Sequence, residues 1–583
     1  MKRDPSWLAW VGIAIAAVLL SAAFRFFGSD GRAWQHVIAG DGVCHHAYLS
    51  SLFIHGTLDP PVAQPAHLSA AEDGHVIKCT AGVACMQAPF YAVAHLRTLI
   101  TEGPEDGRSL HYQFAIALAA WCYLVLGLWA VRALLLFLGT ARSVTAAVLL
   151  LLFFGTGLAW YALMEPSMVH VYGFCSVACT MRAFQRAVHC STLRWWLIAA
   201  AGLGLVVLVR PVNALMVLAL PLLWSKAHRS AGVWTAQRVL RTVFWSGVVF
   251  GLVVSVQPIL WYAQSGSFFA ELYPGEGFNW SSPRILSSLF GAQKGLFFYW
   301  PLLLLVVPGA VVLWRRDRVA FAGAVLWFAV LAYVLSSWWN HVFADSYGLR
   351  PYVDHMAVFA LVIAPAISVG VERWGPRVLA VIIPFLLLQC AQAWQYGTGI
   401  IQPQSMDAEK YRYIFLRFGT GYAGGLGGCA EPGPYAPCGM RVLIDATRDT
   451  RDPSTEVSGA EWTRMEGVES RGPSFRCEAP EYPTGKLVYV EMANTRRNLR
   501  PGGSAQAMVV CTIHLRSGGT SRYSFRLDHV PDPPAGPLRA WRSSFVLPAE
   551  PAIQGIELAV EGAGAYALAP PRIRLSTPHV CAE

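Results

Sequence analysis

The chain has 583 residues, of which 55% are hydrophobic and only 14% are charged, and its formal net charge is +10. A soluble globular protein carries about 25% charged residues, so the composition excludes that class and indicates a polytopic membrane protein. The basic excess is typical of the cytoplasmic loops of such a protein and does not indicate nucleic-acid binding.

Windows of about 20 apolar residues predict about eleven membrane spans. In chain order they cover residues 7–27, 111–138, 144–163, 167–187, 195–209, 212–225, 242–262, 295–314, 319–337, 356–371 and 377–396. The fifth and sixth windows are short and meet at Arg210 and Pro211. They are interpreted as two helices that meet at the outer surface. A single kinked helix is the alternative, because proline is tolerated within spans.

The loops between the windows are unevenly charged. Lys2 and Arg3 precede the first window, and arginines such as Arg142, Arg315 and Arg373 recur in every second loop. Cytoplasmic loops concentrate Lys and Arg, so the N-terminus is expected in the cytoplasm. An odd number of spans then places the segment after the last window outside.

Two long segments lie outside the windows. Residues 28–110 are expected to form an outer loop, with helices along the membrane surface over 43–55 and 89–100. Residues 397–583 alternate apolar and polar positions between Gly and Pro turns, which is typical of an all-β sandwich. The sequence therefore predicts a membrane domain over 1–396, which includes the outer loop, and a β-rich domain over 397–583.

Most of the 13 cysteines fall in the predicted outer segments, where an oxidising compartment allows disulfides. These cysteines are Cys44, Cys79, Cys85, Cys429, Cys438, Cys477, Cys511 and Cys581. The pairs nearest in sequence are Cys79–Cys85, Cys429–Cys438 and Cys477–Cys511, although the pairing is not determined by the sequence.

Polar residues at the outer ends of the spans are the candidate functional residues. They are Asp41, His45, His46, Glu165, His170, Arg210, Asn213, Lys294, His341, Asp345, Tyr347, Arg350, Asp354 and His355. Each alone has an ordinary explanation, since an Asp-Gly pair caps helices and a terminal Arg reaches toward headgroups. Together they suit a phosphate leaving group: a carboxylate can act as a general base, and arginines can neutralise the departing phosphate.

The order of five short motifs over residues 7–396 resembles a known family. The motifs are GDG…Y…SL…G.LD, EPSMVH, RPVNAL, KGLFFYWPLL and DSYGLRPYVDH. They resemble the GT-C fold of polyprenyl-phosphate-sugar glycosyltransferases, which include protein O-mannosyltransferases and the lipid A aminoarabinose transferase. The resemblance implies a mainly α polytopic membrane bundle in a bacterial inner membrane, with the all-β domain in the periplasm. It also implies that the chain transfers a sugar, with inversion, from a polyprenyl-phosphate donor to an extracytoplasmic glycan, lipid or protein acceptor.

The resemblance implies roles for several candidates. Asp41 is expected to be the general base, and Glu165 to hold acceptor or sugar hydroxyls. Arg210, Arg350 and, less directly, Lys294 are expected to bind the donor phosphate. The expected substrate contacts are His45, His170, Asn213, Tyr347 and Asp345. No cofactor is expected; a divalent cation on Asp41 and His45 is the alternative.

One feature departs from the family pattern: many relatives carry an adjacent acidic pair where this chain has Asp41 followed by Gly42. Three other functions are alternatives. A lipid-linked glycan transporter or flippase would line a mid-membrane path with charges and show inverted repeats. An O-antigen polymerase or ligase would place its arginines in a large late loop. A non-catalytic glycan-binding scaffold would work through its β domain.

Overall fold

The structure is a computed structural model, and it describes the chain over residues 4–27, 33–58, 68–71, 74–224, 235–273, 276–343, 346–403, 406, 408–419 and 422, together with the strands beyond residue 422. The chain separates into two compact units. One unit is Met1–Pro274, Phe278–Phe343 and Tyr347–Ala393, and the other is Gly275–Gly277, Ala344–Ser346 and Trp394–Glu583.

The first unit is helical. Its α-helices are α1 Pro5–Ser21, α2 Gly42–Phe53, α3 Gly82–Ile100, α4 Leu110–Phe137, α5 Arg142–Phe154, α6 Leu158–Leu163, α7 Val169–Cys190, α8 Leu193–Val209, α9 Ala236–Val254, α10 Val256–Ser265, α11 Ile285–Phe290, α12 Leu296–Tyr299, α13 Val306–Arg316, α14 Arg318–Ser337, α15 Met356–Trp374 and α16 Val378–Gly397, the last of which runs on beyond this unit. Tighter or wider helical turns are Ala22–Phe26, Ala33–His36, Pro211–Leu223, Pro301–Leu305, Arg350–His355 and Gly375–Arg377. A two-stranded hairpin, β1 Leu68–Ala71 and β2 Gly74–Ile77, lies between α2 and α3.

Helical segments occupy all eleven predicted windows, and the chain is a multi-pass membrane protein. By length and composition, 5 helical runs in the part of the chain that the structure describes can cross a membrane: Pro5–Phe26, Leu110–Phe137, Ala236–Ser265, Arg318–Ser337 and Arg350–Trp374. Other windows are divided into shorter pieces. The window over 144–163, for example, splits into α5 and α6 around Gly155–Gly157. The number of crossings therefore stays a prediction.

The fifth and sixth windows are two separate helical segments. Helix α8 ends at Val209, and Arg210 is extended, with φ of −163° and ψ of 116°. Pro211 disfavours a helical residue before it and cannot donate a backbone hydrogen bond, so the break falls where the sequence places it. The next segment begins at Pro211 as a tighter 3-10 helix.

The outer loop contributes both expected helices, but they pack within the protein. Helix α2 buries Cys44, His45, Tyr48 and Leu49. Helix α3 begins at Gly82, earlier than the sequence suggested, so Pro89 lies inside the helix.

One disulfide joins Cys44 in α2 to Cys79, just before α3. The expected Cys79–Cys85 pair is therefore wrong. The Tyr48 hydroxyl donates to the Cys79 carbonyl at 2.9 Å and draws Cys79 beside α2, whereas Cys85 is exposed and free in the first turn of α3. Cys429 and Cys438 lie outside the described residues.

The second unit contains helix α17 Ala408–Ile414 and antiparallel strands. The strands are β3 Met440–Asp445, β4 Thr463–Gly467, β5 Arg471–Cys477, β6 Leu487–Ala493, β7 Arg496–Asn498, β8 Met508–Leu515, β9 Thr520–Arg526, β10 Trp541–Val546, β11 Ile553–Glu561, β12 Gly564–Leu568 and β13 Arg572–Pro578. They pair in the orders β10-β6-β13-β3, β5-β11-β8-β9 and β4-β12-β7.

The strand order does not favour the Cys477–Cys511 pair. Strand β11 lies between β5, which carries Cys477, and β8, which carries Cys511. Two strand spacings separate the backbones by about 9–10 Å, and a disulfide requires Cα atoms within about 7 Å.

The disulfide yields a testable expectation for stability. Replacing Cys44 and Cys79 together by serine should lower the free energy of unfolding by roughly 3–4 kcal/mol, because the bond closes a loop of sequence separation 35. Thermal unfolding of the purified protein in detergent measures this loss. Cys85→Ser is the matched control and should unfold as the wild type does; equal stability of the double variant would contradict the expectation.

Candidate functional site

The carboxylate of Asp41 lies at the start of α2 and pairs with an arginine. Gly40 has φ of +55°, which glycine adopts without strain, and turns the chain into the helix. Asp41 occupies the N-cap position, yet its side chain accepts no hydrogen bond from the described first turn of α2. Its Oδ2 instead lies 2.8 Å from Nη2 of Arg350. The side chain of Asp41 is 50% exposed and that of Arg350 is 12% exposed, so the arginine fixes a carboxylate that is half accessible to solvent.

Close packing at Gly42 explains why a second acid does not follow Asp41. A Cβ at Gly42 would lie 1.9 Å from Oγ of Ser167 and 2.4 Å from its Cβ. The same serine accepts from the backbone N–H of Ala39 at 3.3 Å. The start of α2 is therefore pressed against the turn before α7, and no side chain fits at position 42.

Glu165 belongs to the same charged group. Trp160 donates from Nε1 to Oε1 of Glu165 at 2.8 Å. Burial raises the pKa of Glu165 above its ordinary value, opposed by the Trp160 hydrogen bond and by the charges of Arg350 and Arg25. The charge of Asp41 adds to the rise. Two carboxylates and two guanidinium groups therefore share one electrostatic environment.

Arg25 is a member that the sequence analysis missed. It lies in the π-helical turn that ends the first span, and its guanidinium donates to the carbonyl of Met164, next to Glu165. The available signal was a lone charge inside the apolar window 7–27, and such charges are functional candidates by default.

A second cluster surrounds the carboxylate of Asp354, which is 0% exposed. His170 donates from Nδ1 to Oδ1 at 2.8 Å, and Asn213 donates from Nδ2 to Oδ2 at 2.8 Å. Nη1 of Arg210 lies 4.0 Å from Oδ2. Asp354 therefore joins helix α7, the segment after the Arg210 break and the turn Arg350–His355. In the sequence, Asp354 stands out only as a polar residue of the motif DSYGLRPYVDH, with no predicted role.

Gly173 makes room for this carboxylate. It lies on α7 one turn after His170, and a Cβ there would come within 2.6 Å of Oδ2 of Asp354 and 3.1 Å of Nδ2 of Asn213. Only a residue without a side chain lets the turn Arg350–His355 approach α7 so closely.

The two clusters are neighbours. Arg350 pairs with Asp41 and lies four residues before Asp354 on the same turn. The charges of Arg210 and Arg350 both act on His170. The structure thus brings together Asp41, Glu165, Arg210, Arg350, His170 and Asn213, six of the ten residues predicted for the site.

The outer loop also positions Arg210. Thr80 follows the disulfide-bonded Cys79 and donates from Oγ1 to the carbonyl of Val209 at 3.0 Å. A Cβ at Gly82 would lie 2.4 Å from the Val209 backbone nitrogen. The segment that carries Asp41 therefore also contacts the end of α8, immediately before Arg210.

The structure describes three of the four remaining predicted residues. Tyr347 is fully buried, and its backbone N–H donates to the Tyr161 hydroxyl at 2.9 Å. Its own hydroxyl accepts from Nε2 of Gln389 at 2.7 Å, and its ring centre lies 5.6 Å from that of Trp160, the residue that donates to Glu165. Its substrate role stays a prediction. His45 is 4% exposed and Lys294 is 2% exposed, and their substrate roles stay predictions. Asp345 lies outside the described residues.

The alternative to a metal-free site is a divalent cation bound by Asp41 and His45. Within the residues that the structure describes, no group of three or more His, Cys, Asp and Glu side chains could hold a metal ion. A cation on Asp41 and His45 stays a prediction.

The similarities of this chain to known proteins are to solved structures. No family model matches the chain, and no curated protein matches it significantly. The chain is similar to the crystal structure of ArnT from Cupriavidus metallidurans bound to undecaprenyl phosphate, with a TM-score of 0.41, 14% identity and coverage of 68% of this chain and 65% of that one. It is also similar to the arabinosyltransferase EmbB from Mycobacterium smegmatis, with a TM-score of 0.29, 13% identity and coverage of 92% and 64%.

Both solved proteins are GT-C membrane glycosyltransferases, the class that the sequence motifs resemble. The chain spans a little less than two thirds of the length of each, 65% and 64%. With TM-scores of 0.41 and 0.29, neither likeness decides what this chain does.

The packing at Gly173 gives a direct test of the Asp354 cluster. Gly173→Ala should destabilise the protein by about 1–3 kcal/mol, because the added methyl group overpacks against a buried carboxylate. Gly247→Ala in α9 is the matched control: among the described residues, no atom outside its own helix lies within 4 Å of a Cβ there, so alanine should be neutral or stabilising. Thermal unfolding in detergent compares the two, and equal midpoints would contradict the packing described for Asp354.

Glu165 should make stability depend on pH. The folded carboxyl keeps its proton to a higher pH than the unfolded one, whose ordinary pKa is 4.5. The unfolded state therefore loses its proton first, and stability should fall as pH rises from 4.5 through the raised pKa.

Glu165→Gln should remove that fall, because the amide keeps an oxygen for Trp160 and does not ionise. Unfolding midpoints measured from about pH 4 to about pH 8 provide the comparison. An unchanged pH profile in the variant would show that Glu165 is not the responsible group.

Proposed function

We propose that this protein is a glycosyltransferase of a bacterial inner membrane. It transfers a sugar from a polyprenyl-phosphate donor to an extracytoplasmic acceptor, with inversion at the anomeric carbon. The observation that carries the proposal is the Asp41 carboxylate, which pairs with Arg350 and is half exposed. A carboxylate held in this way suits a general base.

The proposed reaction exchanges one C–O bond for another. The acceptor hydroxyl attacks the anomeric carbon and gives its proton to Asp41. The bond between that carbon and the phosphate oxygen breaks, and the electron pair leaves with the lipid phosphate. A base on one side of the sugar and the leaving group on the other produce inversion.

The arginines suit the leaving phosphate. A guanidinium has five N–H donors in a planar fork that matches phosphate, so an arginine can contact a carboxylate and a phosphate together. Arg210 is 24% exposed, and its charge acts on the same histidine as that of Arg350. Neutralising the negative charge that develops on the phosphate lowers the barrier to its departure. Lys294 is proposed as a further phosphate contact, and Glu165 as the residue that holds acceptor or sugar hydroxyls.

Two span ends support a site at the rim of the bilayer. The candidate span Pro5–Phe26 ends beside Arg25, and the candidate span Arg350–Trp374 begins at Arg350. Both arginines act on Glu165, so these two ends meet at one membrane face. A donor with a lipid tail and a charged head group would reach such a site from the bilayer.

The orientation of the chain in the membrane is also part of the proposal. The basic loops favour a cytoplasmic N-terminus, and the Cys44–Cys79 disulfide favours an oxidising compartment for the loop that carries Asp41. We propose that this compartment is the periplasm and that the strands of 397–583 form an all-β, sandwich-like domain there.

Replacing Asp41, the proposed general base, tests the proposed sugar transfer. Asp41→Asn should reduce turnover of radiolabelled polyprenyl-phosphate sugars by about 10²–10⁴-fold, because the amide does not accept the proton. Asp106→Asn is the matched control in the same outer loop: Asp106 is exposed and accepts from the backbone N–H groups of Arg108 and Ser109, and its replacement should leave turnover unchanged.

Thermal unfolding must show that Asp41→Asn is folded. Full turnover in the folded variant would remove Asp41 from the mechanism. Lost turnover with retained donor binding would distinguish an enzyme from a glycan-binding scaffold.

A further inference from the structure

We propose that Asp354 is a positioning residue for this reaction: its buried carboxylate orients the guanidinium of Arg210 toward the lipid phosphate by charge, without a hydrogen bond to it. This inference rests on the proposed function, because it concerns how the donor phosphate is held.

Asp354 requires a cation near it. A carboxylate with 0% exposure is costly to bury unless it is hydrogen-bonded and paired with charge. His170 and Asn213 supply the hydrogen bonds, and Arg210 supplies charge at 4.0 Å. The attraction between the two ions therefore constrains where the arginine head lies.

Asp354 holds Arg210 by charge and not by a hydrogen bond. At 4.0 Å, the contact between Nη1 and Oδ2 is longer than a hydrogen bond. In the part of the chain that the structure describes, Nη1 of Arg210 is buried and has no hydrogen-bond partner. The guanidinium also lies 5.8 Å from the centre of the Phe343 ring. The side chain of Arg210 is nevertheless 24% exposed, so a phosphate would meet the exposed part of the guanidinium while Coulomb attraction and the aromatic contact orient it.

The charges form two pairs with different exposure. Asp41, which pairs with Arg350, is 50% exposed, whereas Asp354, which lies near Arg210, is 0% exposed. The exposed carboxylate can meet an acceptor, but the buried one cannot. Asp354 therefore acts through Arg210 and does not touch substrate.

Asn213 allows the charge of Asp354 to be removed without losing the hydrogen bonds. In Asp354→Asn, the amide oxygen can still accept from His170. Oδ1 of Asn213 is buried and has no hydrogen-bond partner among the described residues, so rotation of the Asn213 amide can accept from the new amide at position 354. Exchanging the two residues, as Asp354→Asn with Asn213→Asp, keeps the same hydrogen bond and moves the carboxylate to its other end, three residues from Arg210.

The test measures binding of undecaprenyl phosphate to the purified full-length protein in detergent micelles. Asp354→Asn should weaken binding about tenfold, or about 1.4 kcal/mol, and the exchange variant should restore most of the loss. Arg210→Ala should also weaken binding, and adding Asp354→Asn to it should cause no further loss. If Asp354 had only a structural role, Asp354→Asn would weaken binding by the same factor in the wild type and in Arg210→Ala.

The outcomes separate the two proposals. If Arg210→Ala weakens binding but Asp354→Asn does not, or if Asp354→Asn weakens it further in the Arg210→Ala background, the positioning role is wrong and the proposed function stands. If the wild type does not bind undecaprenyl phosphate, or if Arg210→Ala and Arg350→Ala bind it normally, both are wrong. Should Asp354→Asn fail to fold, the exchange variant decides: a folded exchange variant that does not bind overturns the positioning role.

Discussion

The buried carboxylate of Asp354 is the interaction on which the site depends. It accepts hydrogen bonds from residues 184 and 141 positions away in the chain and lies four residues after Arg350. An ionised group with no contact to solvent must be satisfied where it stands, so it allows little freedom to the three segments that meet around it. The positions of Arg210 and Arg350 follow from this constraint, and so does the position of Asp41 through its pair with Arg350.

Three glycines allow the segments to come this close. Gly42 lies against Ser167, Gly82 against the end of α8 and Gly173 against Asp354, and a Cβ at any of them would fall below 3.0 Å from a neighbour. The loop that carries Asp41 is thereby packed against both α7 and α8. The disulfide Cys44–Cys79 holds the same loop between two of these contacts. Positioning in this site therefore comes from backbone proximity as much as from charged pairs.

Much of the architecture could be predicted from the sequence, because it depends on local properties. Long apolar runs are stable only in a membrane or a core, so helices occupy the predicted windows. The break at Arg210 follows from the restriction that Pro211 places on its neighbour. The Asp-Gly pair was ambiguous: its position is that of a helix cap, but its carboxylate pairs with Arg350 instead. No local rule distinguishes these two uses of an aspartate.

The sequence by itself therefore determined that this is a polytopic membrane protein, where its helical segments lie, and which polar residues stand at the ends of spans. Each of these depends on composition or on neighbours in the chain. Only the tertiary structure decided that Cys79 pairs with Cys44, that Gly42 excludes a second acid, that Tyr347 is fully buried, and that Asp354 and Arg25 lie beside the predicted site residues. These facts depend on distances between segments remote in sequence. Such distances are set by how helices pack, and neither hydrophobic period nor charge order encodes them.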